Sequence, residues 1–434
     1  MGNFISNTPE ERKEMLSACG YSEYRDMYAN VPDSVWLETV NLEPGISEQE
    51  VTAEMDRMSG ANTQYKSIFR GAGAYKHYIP ATVAGVTSKE EFVTAYTPYQ
   101  AEISQGILQS IFEYQTQICE LTGMDISNAS VYDGATAAAE AVFMCEERKR
   151  TGVAISAAVD PNTIEVVRTY CDARNVDVKI IDIEDGATTP AAVSAIAGDV
   201  ASIIIQSPNY YGIIEDSKAI IDAAHEAKAK VIMSSNPISL GILATPGELG
   251  ADVAVGEGQP LGMPISFGGP YLGFMATTEK MMRKLPGRIA GQTVDADGER
   301  CFVLTLQARE QHIRREKASS NICSNQALCA TTASVYLACM GPDGLAQAAK
   351  SSAANAHYLQ KKLAECGFEL QHNKPFFHEF ATTCPVDPAK LEAALSDKGI
   401  LAGLPIEGGM LWCATELNTK DDIDNLISAI KEVA

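Results

Sequence analysis

Hydrophobic residues recur every three or four positions between residues 99 and 121, which is the spacing of one face of an α-helix. Gly123 follows the last of them and is a typical helix end. We therefore predict a long helix over residues 99–121. Its apolar face comprises Ile103, Ile107, Ile111, Tyr114, Ile118 and Leu121.

Short apolar, β-branched runs alternate with helical stretches through the middle of the chain. Such alternation is typical of βαβ units, and strands that are apolar on both faces are covered on both sides, as in a parallel sheet. The helical stretches lie at residues 162–174 and 217–229. The predicted strands cover residues 153–159, 176–183, 200–205, 231–234 and 252–256. The predicted fold class is therefore α/β with a mostly parallel sheet.

The two ends of the chain have different patterns. Residues 8–11 form a capping box that begins a short helix, and a mixed, acidic segment follows it. After about residue 325 the pattern predicts helices, short strands and a closing helix. These elements lie at residues 326–340, 344–366, 376–381, 410–414 and 420–433. We predict an N-terminal helical arm over residues 1–60, a large α/β domain over 61–325 and a smaller C-terminal α+β domain over 326–434.

The acidic composition excludes several classes of function. The formal net charge is −22 and the sequence pI is near 4.7, which opposes binding to nucleic acid and to anionic lipid. No apolar run reaches the roughly 18 residues of a transmembrane helix, and no export signal opens the sequence. Residues 1–6 fit a myristoylation pattern only loosely, without a second lipid signal. We expect a cytoplasmic protein that binds neither nucleic acid nor membrane.

The spacing of cysteine and histidine argues against metal and disulfide chemistry. The eleven cysteines include no C-x-x-C pair, and the six histidines include no pair at ligand spacing. We expect reduced core thiols and no metal site. The sequence also has no dinucleotide-binding glycine motif after a strand, no Walker loop and no G-x-S-x-G motif, which removes the main support for nucleotide and serine-hydrolase functions.

A segment rich in small residues, 128–141, is a candidate anion site. Gly134 and Thr136 stand where free backbone N–H groups at the start of a helix could bind a phosphate. An ordinary helix start capped by Asp133 explains the same residues equally well. The local pattern does not decide between these two interpretations.

Residues 280–317 are basic in an otherwise acidic chain, with nine basic and five acidic residues. Such a segment attracts an anion or an acidic partner surface, whereas a solvated helix face with internal ion pairs is the alternative. Two other segments, 75–78 and 96–99, bring tyrosine hydroxyls and the imidazole of His77 into predicted loops. Packing and chemistry are both ordinary roles for such residues.

Five segments together resemble the glycine cleavage system P-protein family, and within it the first subunit of the two-subunit bacterial form. The resemblance covers nearly the whole chain. It rests on residues 69–75, 77–80, 96–106, 128–141 and 309–325. The family implies a fold-type-I pyridoxal-phosphate-dependent, transferase-like large domain with a smaller C-terminal domain. It also implies the decarboxylation of glycine and transfer of the aminomethyl group to the lipoyl group of the H-protein.

The resemblance has one informative departure. Pyridoxal phosphate stabilises the carbanion left when glycine loses CO₂, and such enzymes need a Schiff-base lysine and an aspartate beside the pyridine nitrogen. At the corresponding places this chain has Ser-Ser-Asn at 234–236 and Glu-Gly-Gln-Pro at 257–260. The family therefore implies that the second subunit holds pyridoxal phosphate covalently and that this chain holds none covalently.

Since fold-type-I sites lie at subunit interfaces, the resemblance implies that this chain completes a site on its partner. Tyr96 and Tyr99 are expected near the substrate, and His77 is expected to handle or orient a proton. The expected assembly is a heterotetramer with two copies of each subunit, which acts on glycine and on the lipoylated H-protein.

Other residues are expected to serve the cofactor phosphate. By the same resemblance, Ser320, Asn321 and Asn325 hydrogen-bond the phosphate of the partner's cofactor. Gly134 and Thr136 then belong to this chain's own vestigial phosphate loop.

Two other functions remain open at this point. A stand-alone pyridoxal-phosphate transferase or lyase would need a displaced lysine, such as Lys280 or Lys317. A non-catalytic scaffold would only stabilise the second subunit. In that case, removing the hydroxyls of Tyr96 and Tyr99 or the imidazole of His77 would leave turnover unchanged.

Overall fold

The computed structural model describes residues 6–433, so most of the loose myristoylation pattern lies outside the described residues. The described residues divide into two compact units between Gln64 and Tyr65. We still propose that the N-terminal arm ends at residue 60. We also still propose that the large domain and the C-terminal domain meet at residue 325.

The first unit contains two α-helices, α1 (Pro9–Ala18) and α2 (Glu48–Gly60). Each begins with a hydroxyl cap, from Thr8 and Ser47, and with a glutamate three residues later that binds back to the cap N–H. These reciprocal bonds satisfy donors that the first turn of a helix leaves free. The short helix predicted from the capping box is therefore present.

The second unit alternates helices and strands. Its helices are α3 (Ala81–Thr87), α4 (Glu90–Val93), α5 (Gln105–Thr122), α6 (Gly134–Cys145), α7 (Pro161–Arg174), α8 (Pro190–Ala197), α9 (Ser217–Glu226), α10 (Pro246–Leu249), α11 (Gln311–Arg314), α12 (Ala327–Ala364), α13 (Pro388–Ser396) and α14 (Lys420–Val433). Its strands are β1 (Ser67–Ile68), β2 (Ile126–Ser127), β3 (Val153–Ser156), β4 (Val178–Ile181), β5 (Ile183–Glu184), β6 (Ala187–Thr188), β7 (Ser202–Gln206), β8 (Lys230–Ser234), β9 (Val253–Glu257), β10 (Gly273–Thr277), β11 (Ile289–Val294), β12 (Arg300–Thr305), β13 (Glu379–Thr383), β14 (Ile400–Leu401), β15 (Leu404–Ile406) and β16 (Gly409–Cys413).

Seven strands form the central sheet, in the order β2-β10-β9-β8-β7-β3-β4. The five predicted strands are its parallel members β9, β8, β7, β3 and β4. Both faces of these strands are buried: Ile203 and Ile205 belong to one apolar cluster, and Ile204 belongs to the cluster on the other face. This two-sided burial explains the uninterrupted apolar runs and confirms the α/β prediction.

Two strands of this sheet were not predicted. β10 runs antiparallel to β9 on one side and to the two-residue strand β2 on the other. β2 has only two residues, and no α-helix separates β10 from β9, so the alternation of strands and helices gave no sign of them.

The prediction of a helix over residues 99–121 is wrong at its start. Residues Ala101–Ile103 form a separate 3₁₀ turn, and α5 begins at Gln105. The amide of Gln105 bonds to both the N–H and the carbonyl of Phe302 in β12, at 2.8 and 2.9 Å. This long-range pairing aligns the first turn of α5, and it leaves Ile103 exposed instead of on the apolar face.

The basic segment 280–317 is not a helix face. Its middle forms a β-hairpin, β11–β12, which packs on α5 through Leu108, Ala290 and Phe302. Within this segment of the described chain the one salt bridge is between His312 and Glu310, at 3.4 Å. The alternative of a solvated helix with internal ion pairs is therefore wrong.

The C-terminal part follows the predicted order of elements. α12 breaks at Gly341, whose φ of 60° interrupts the helix just before Pro342, as the two predicted helices require. β13, β16 and β15 form an antiparallel sheet, and α14 closes the chain. Trp412 is fully buried there. Across residues 6–433, no helix has both the length and the apolar character needed to cross a membrane.

Candidate functional site

A cavity of about 390 Å³ opens where the parallel strands of the central sheet end. The last residues of β7, β8 and β9, which are Gln206, Ser234 and Glu257, all line it. Tyr75 and Glu379 line it from the other side. The carboxyl ends of parallel strands are the usual place for a ligand in α/β proteins, so this cavity is the first candidate site.

Glu257 occupies the part of the cavity beside the start of α6. Its carboxylate accepts hydrogen bonds from the N–H groups of Gly134 (3.0 Å), Leu272 (3.0 Å) and Gln259 (2.9 Å). Burial raises the pKa of Glu257 to about 7, although these bonds lower it in part. The chain thus places its own carboxyl group at the predicted phosphate loop.

The other backbone donor of that loop is also engaged. The N–H of Thr136 bonds to Oδ1 of Asp133 at 2.7 Å, which is an ordinary helix cap. A Cβ atom on Gly134 would lie only 2.7 Å from the backbone nitrogen of Glu257. The start of α6 therefore packs directly on the end of β9, and both predicted phosphate donors are bound to carboxylates of this chain.

Glu379 is a second buried carboxyl group in the cavity. It accepts from the N–H of Ala72 at 2.6 Å and from the hydroxyl of Tyr75 at 2.8 Å. Burial raises the pKa of Glu379 to about 7 and also raises the pKa of Tyr75. Burial raises the pKa of Asp160, another lining residue, as well. The cavity is therefore acidic.

Three lining residues have polar atoms without partners in the described structure. His378 is 2% exposed and neither ring nitrogen has a partner. Ser235 is 3% exposed and its hydroxyl has none. The Oδ1 atom of Asn236 accepts from the N–H of Ile238 at 2.9 Å, but its Nδ2 atom is unpaired. Buried polar groups normally have partners, so these atoms are available to hydrogen-bond a ligand or water in the cavity.

These residues do not fit pyridoxal phosphate. No lysine or arginine lines the cavity in the part of the chain that the structure describes. Ser235 and Asn236 follow β8, and β9 ends at Glu257. Both candidate lysines, Lys280 and Lys317, are exposed outside the cavity. The cavity thus lacks a lysine for a Schiff base and a cation for the phosphate.

A second candidate site, which we call the arginine cluster, consists of Arg288, Arg309, Tyr99 and His312. Arg288 is 5% exposed; its Nη2 donates to the Tyr99 hydroxyl at 2.9 Å, and its charged group lies 5.3 Å from the ring centre. The His312 ring meets the Tyr99 ring edge-on at 6.2 Å. Arg309 donates to the carbonyl of Gly287 at 2.7 Å, and burial lowers its pKa.

The arginine cluster carries uncompensated positive charge. The Nε atoms of Arg288 and Arg309 are buried without partners, and within residues 6–433 neither guanidinium forms a salt bridge. Buried cations are normally paired, because removing a charge from water is costly. The arrangement therefore favours an anion that another molecule supplies.

The other residues that the sequence predicted for the partner's site are either exposed at the surface or hydrogen-bonded within the chain. Tyr96 is 82% exposed, Tyr99 is 52% exposed, and Asn321 is also exposed. Asn325 donates to the carbonyl of Ala129 at 3.0 Å and to the Ser130 hydroxyl at 2.9 Å. Since the N–H of Ala129 bonds to the carbonyl of Arg288, Asn325 borders the arginine cluster.

Ser320 and His77 are already engaged within the chain. The Ser320 hydroxyl accepts from the N–H of Ile322 at 3.0 Å. His77 is buried and its Nδ1 lies 2.7 Å from the carboxylate of Glu416, while its Nε2 has no partner among the residues that the structure describes. The His77 ring stacks at 6.2 Å on that of His378, which lines the cavity. His77 is thus placed behind the cavity wall.

Sequence reasoning missed several residues of these sites. Glu379, His378 and Asp160 belong to no recognisable motif. Glu379 and Tyr75 are some 300 residues apart in the sequence and become neighbours only in the folded chain. The only signal in the sequence is a polar pair, His378-Glu379, within a predicted apolar strand. Arg288 was noticed as part of the basic segment, but nothing indicated its bond to Tyr99.

Solved structures with low identity show the class of fold. The sphingosine-1-phosphate lyase Bpss2021 of Burkholderia pseudomallei K96243 matches with a TM-score of 0.69 and 14% identity, over 92% of this chain and 93% of that chain. Likeness at this identity concerns the fold alone. The chain has the fold of the fold-type-I pyridoxal-phosphate-dependent enzymes, as predicted.

Closer relatives show the family. Residues 2–430 match the family described as glycine cleavage system P-protein. The probable glycine dehydrogenase (decarboxylating) subunit 1 of Moorella thermoacetica is 48% identical over 441 residues, which cover 99% of each chain. A crystal structure of glycine decarboxylase (P-protein) of the glycine cleavage system, in inhibitor-bound form, has 42% identity and a TM-score of 0.95 over 100% of both chains. The chain belongs to the glycine cleavage system P-protein family.

Proposed function

We propose that this chain is the non-Schiff-base subunit of a heteromeric glycine decarboxylase. A homologous second subunit binds pyridoxal phosphate through its lysine, and together the two subunits decarboxylate glycine and transfer the aminomethyl group to the lipoyl group of the H-protein. The observation that carries this proposal is the cavity. The chain has the fold of cofactor-binding enzymes, but four carboxyl groups line the cavity, those of Asp133, Asp160, Glu257 and Glu379. No lysine of the described residues lines it.

The name of the Moorella relative, which contains "subunit 1", supports a second subunit. We propose two copies of each subunit in the assembly and a cytoplasmic location. All eleven cysteines lie in the described part of the chain, where they are free thiols.

The arginine cluster is the surface that we propose for the partner's site. Its two guanidinium groups form no salt bridge with the described residues and therefore favour an anion, such as the phosphate of the partner's cofactor or the carboxylate of glycine. Tyr99 accepts its hydrogen bond from Arg288 and therefore keeps its own O–H free to donate to a bound molecule. Asn325 borders this surface, and we propose that Asn321 and Ser320 extend it toward the cofactor phosphate.

Tyr96 and His77 have different proposed roles. The exposed ring of Tyr96 is free to contact the partner near the substrate. His77 is buried against Glu416, so we propose that it orients the neighbouring loop and has at most an indirect influence on a proton at the partner's site.

The test is an exchange assay with purified components. This chain, the lysine-bearing homologue and their mixture are each supplied with pyridoxal phosphate, glycine and lipoylated H-protein, and exchange of labelled CO₂ into glycine is followed. We expect no exchange by this chain alone and full exchange by the mixture. A mixture without exchange would contradict the proposal.

Matched variants separate a contributing subunit from a scaffold. Tyr99→Phe removes the hydroxyl that Arg288 holds, and Tyr65→Phe removes a hydroxyl that bonds to Ser396 away from the cluster. We expect the first variant to lower exchange at least tenfold while the second does not. Equal activity of both variants and the unmodified complex would favour the scaffold.

A further inference from the structure

The acidic cavity has two properties that loss of the cofactor from a pyridoxal-phosphate pocket would not by itself explain. The first is negative charge without compensation: four carboxyl groups line it, and among the described lining residues there is no lysine or arginine. Each carboxyl group is held by hydrogen bonds from N–H or O–H groups, as for Glu257 and Glu379. Their positions are therefore fixed by the fold, and their charge remains unneutralised when they ionise.

The second property is a set of donors without acceptors. The Nδ2 group of Asn236 can only donate, and it has no acceptor. The Oδ1 atom of the same amide accepts from the N–H of Ile238, which fixes the orientation of the side chain. The hydroxyl of Ser235 and the ring of His378 add donors that are almost fully buried. Burial, and to a smaller extent the electrostatic effect of His77, lower the pKa of His378. Its ring is therefore neutral, and one nitrogen carries a hydrogen while the other accepts.

We propose that this cavity binds a small molecule that carries both a protonated primary amine and a neutral hydrogen-bond acceptor, such as an amino alcohol or an amino-acid amide. The ammonium group lies among the carboxyl groups, and the acceptor meets Asn236 and Ser235. A volume of about 390 Å³ is within the range of small-molecule sites. The same charges oppose phosphate and carboxylate groups.

This inference concerns the chain's own cavity and does not depend on the proposed activity. The acidic residues alone would not define a site, because such clusters are common on acidic proteins. The site is defined by two buried side chains that line the cavity and have unpaired polar atoms. Ser235 directly follows β8, and His378 directly precedes β13.

The test is calorimetric titration of the full-length chain, repeated on its complex with the second subunit. The probes are ethanolamine and glycinamide, which have both features, methylammonium, which lacks the acceptor, and acetamide, which lacks the charge. Inorganic phosphate and pyridoxal phosphate are the anionic probes. We expect ethanolamine and glycinamide to bind at least tenfold more tightly than methylammonium or acetamide, and the anions not to bind the isolated chain.

Two variants and one control assign the binding to this cavity. Glu379→Gln keeps the bonds to Ala72 and Tyr75 but removes a charge, and Asn236→Ala removes the unpaired donor. We expect each to weaken glycinamide binding at least tenfold, whereas Glu226→Gln, an exposed glutamate at the end of α9, leaves it unchanged. Equal binding of glycinamide and acetamide, binding of phosphate to the isolated chain, or no binding of any amine would each overturn the proposal. The last of these results would mean that water alone satisfies the unpaired groups.

Discussion

The substitution Glu379→Gln tests directly whether the buried carboxyl group of Glu379 lowers the free energy of unfolding. Glu379 is buried, and among residues 6–433 its carboxylate accepts hydrogen bonds only from the N–H of Ala72 and the hydroxyl of Tyr75. A glutamine has nearly the same shape. Its oxygen can accept from Ala72 and its amide can donate to Tyr75, so the substitution removes the charge with little change in contacts.

The size and sign of the effect follow from the pKa. Burial raises the pKa of Glu379 from 4.5 to about 7, which corresponds to about 3 kcal/mol. Because the folded-state pKa is the higher one, the folded protein binds more protons between these pH values. The free energy of unfolding therefore decreases as the pH rises from 4.5 through 7, and the full penalty is present above pH 7. The glutamine variant has no such penalty.

The assay is urea unfolding of the purified chain, without amines in the buffer, at pH 5, 6, 7 and 8. We expect the free energy of unfolding of Glu379→Gln, relative to the unmodified chain, to increase by up to about 3 kcal/mol between pH 5 and pH 8. Glu226→Gln, at an exposed position, should run parallel to the unmodified chain. Parallel curves for Glu379→Gln as well would refute the reasoning, because the carboxyl group would then titrate normally.

Three further substitutions test other parts of the structure. Asp133→Ala removes the cap of α6, which bonds to the N–H of Thr136, and should destabilise the chain by about 0.5–2 kcal/mol in urea unfolding; no loss would mean that another group caps the helix. Trp412→Ala should cost about 3–5 kcal/mol, because the side chain is fully buried, and a smaller loss in the same assay would contradict the packing described. Arg288→Lys cannot keep both the bond to Tyr99 and the planar contact, so CO₂ exchange by the complex should fall about tenfold or more; unchanged exchange would remove the arginine cluster from the site.

Much of the central sheet could be predicted because its strands are buried on both faces. Ile203, Ile204 and Ile205 are apolar without interruption since each face of β7 has its own apolar cluster. The break of α12 could also be predicted, because Gly341 and Pro342 interrupt a helix locally. Both features depend on residues that are neighbours in the sequence.

The features that could not be predicted depend on distant contacts. The start of α5 is set by the bonds between Gln105 and Phe302, almost 200 residues apart. The charged residues of the basic segment lie mainly outside β11 and β12, in the turn between them and in residues 309–317, so composition gave no sign of a hairpin and left a solvated helix face as an alternative. The absence of a lysine after β9 was visible in the sequence, but the carboxyl groups that line the cavity become neighbours only in the folded chain.

The measurement that tests the central claim most directly is the location of the bound cofactor. The assembled complex with pyridoxal phosphate is reduced with borohydride, and peptides of both subunits are examined by mass spectrometry for a pyridoxyl-lysine. We expect this label on a lysine of the second subunit and none on this chain. A stoichiometric label on any lysine of this chain, Lys280 and Lys317 included, would contradict the assignment of the Schiff base to the partner.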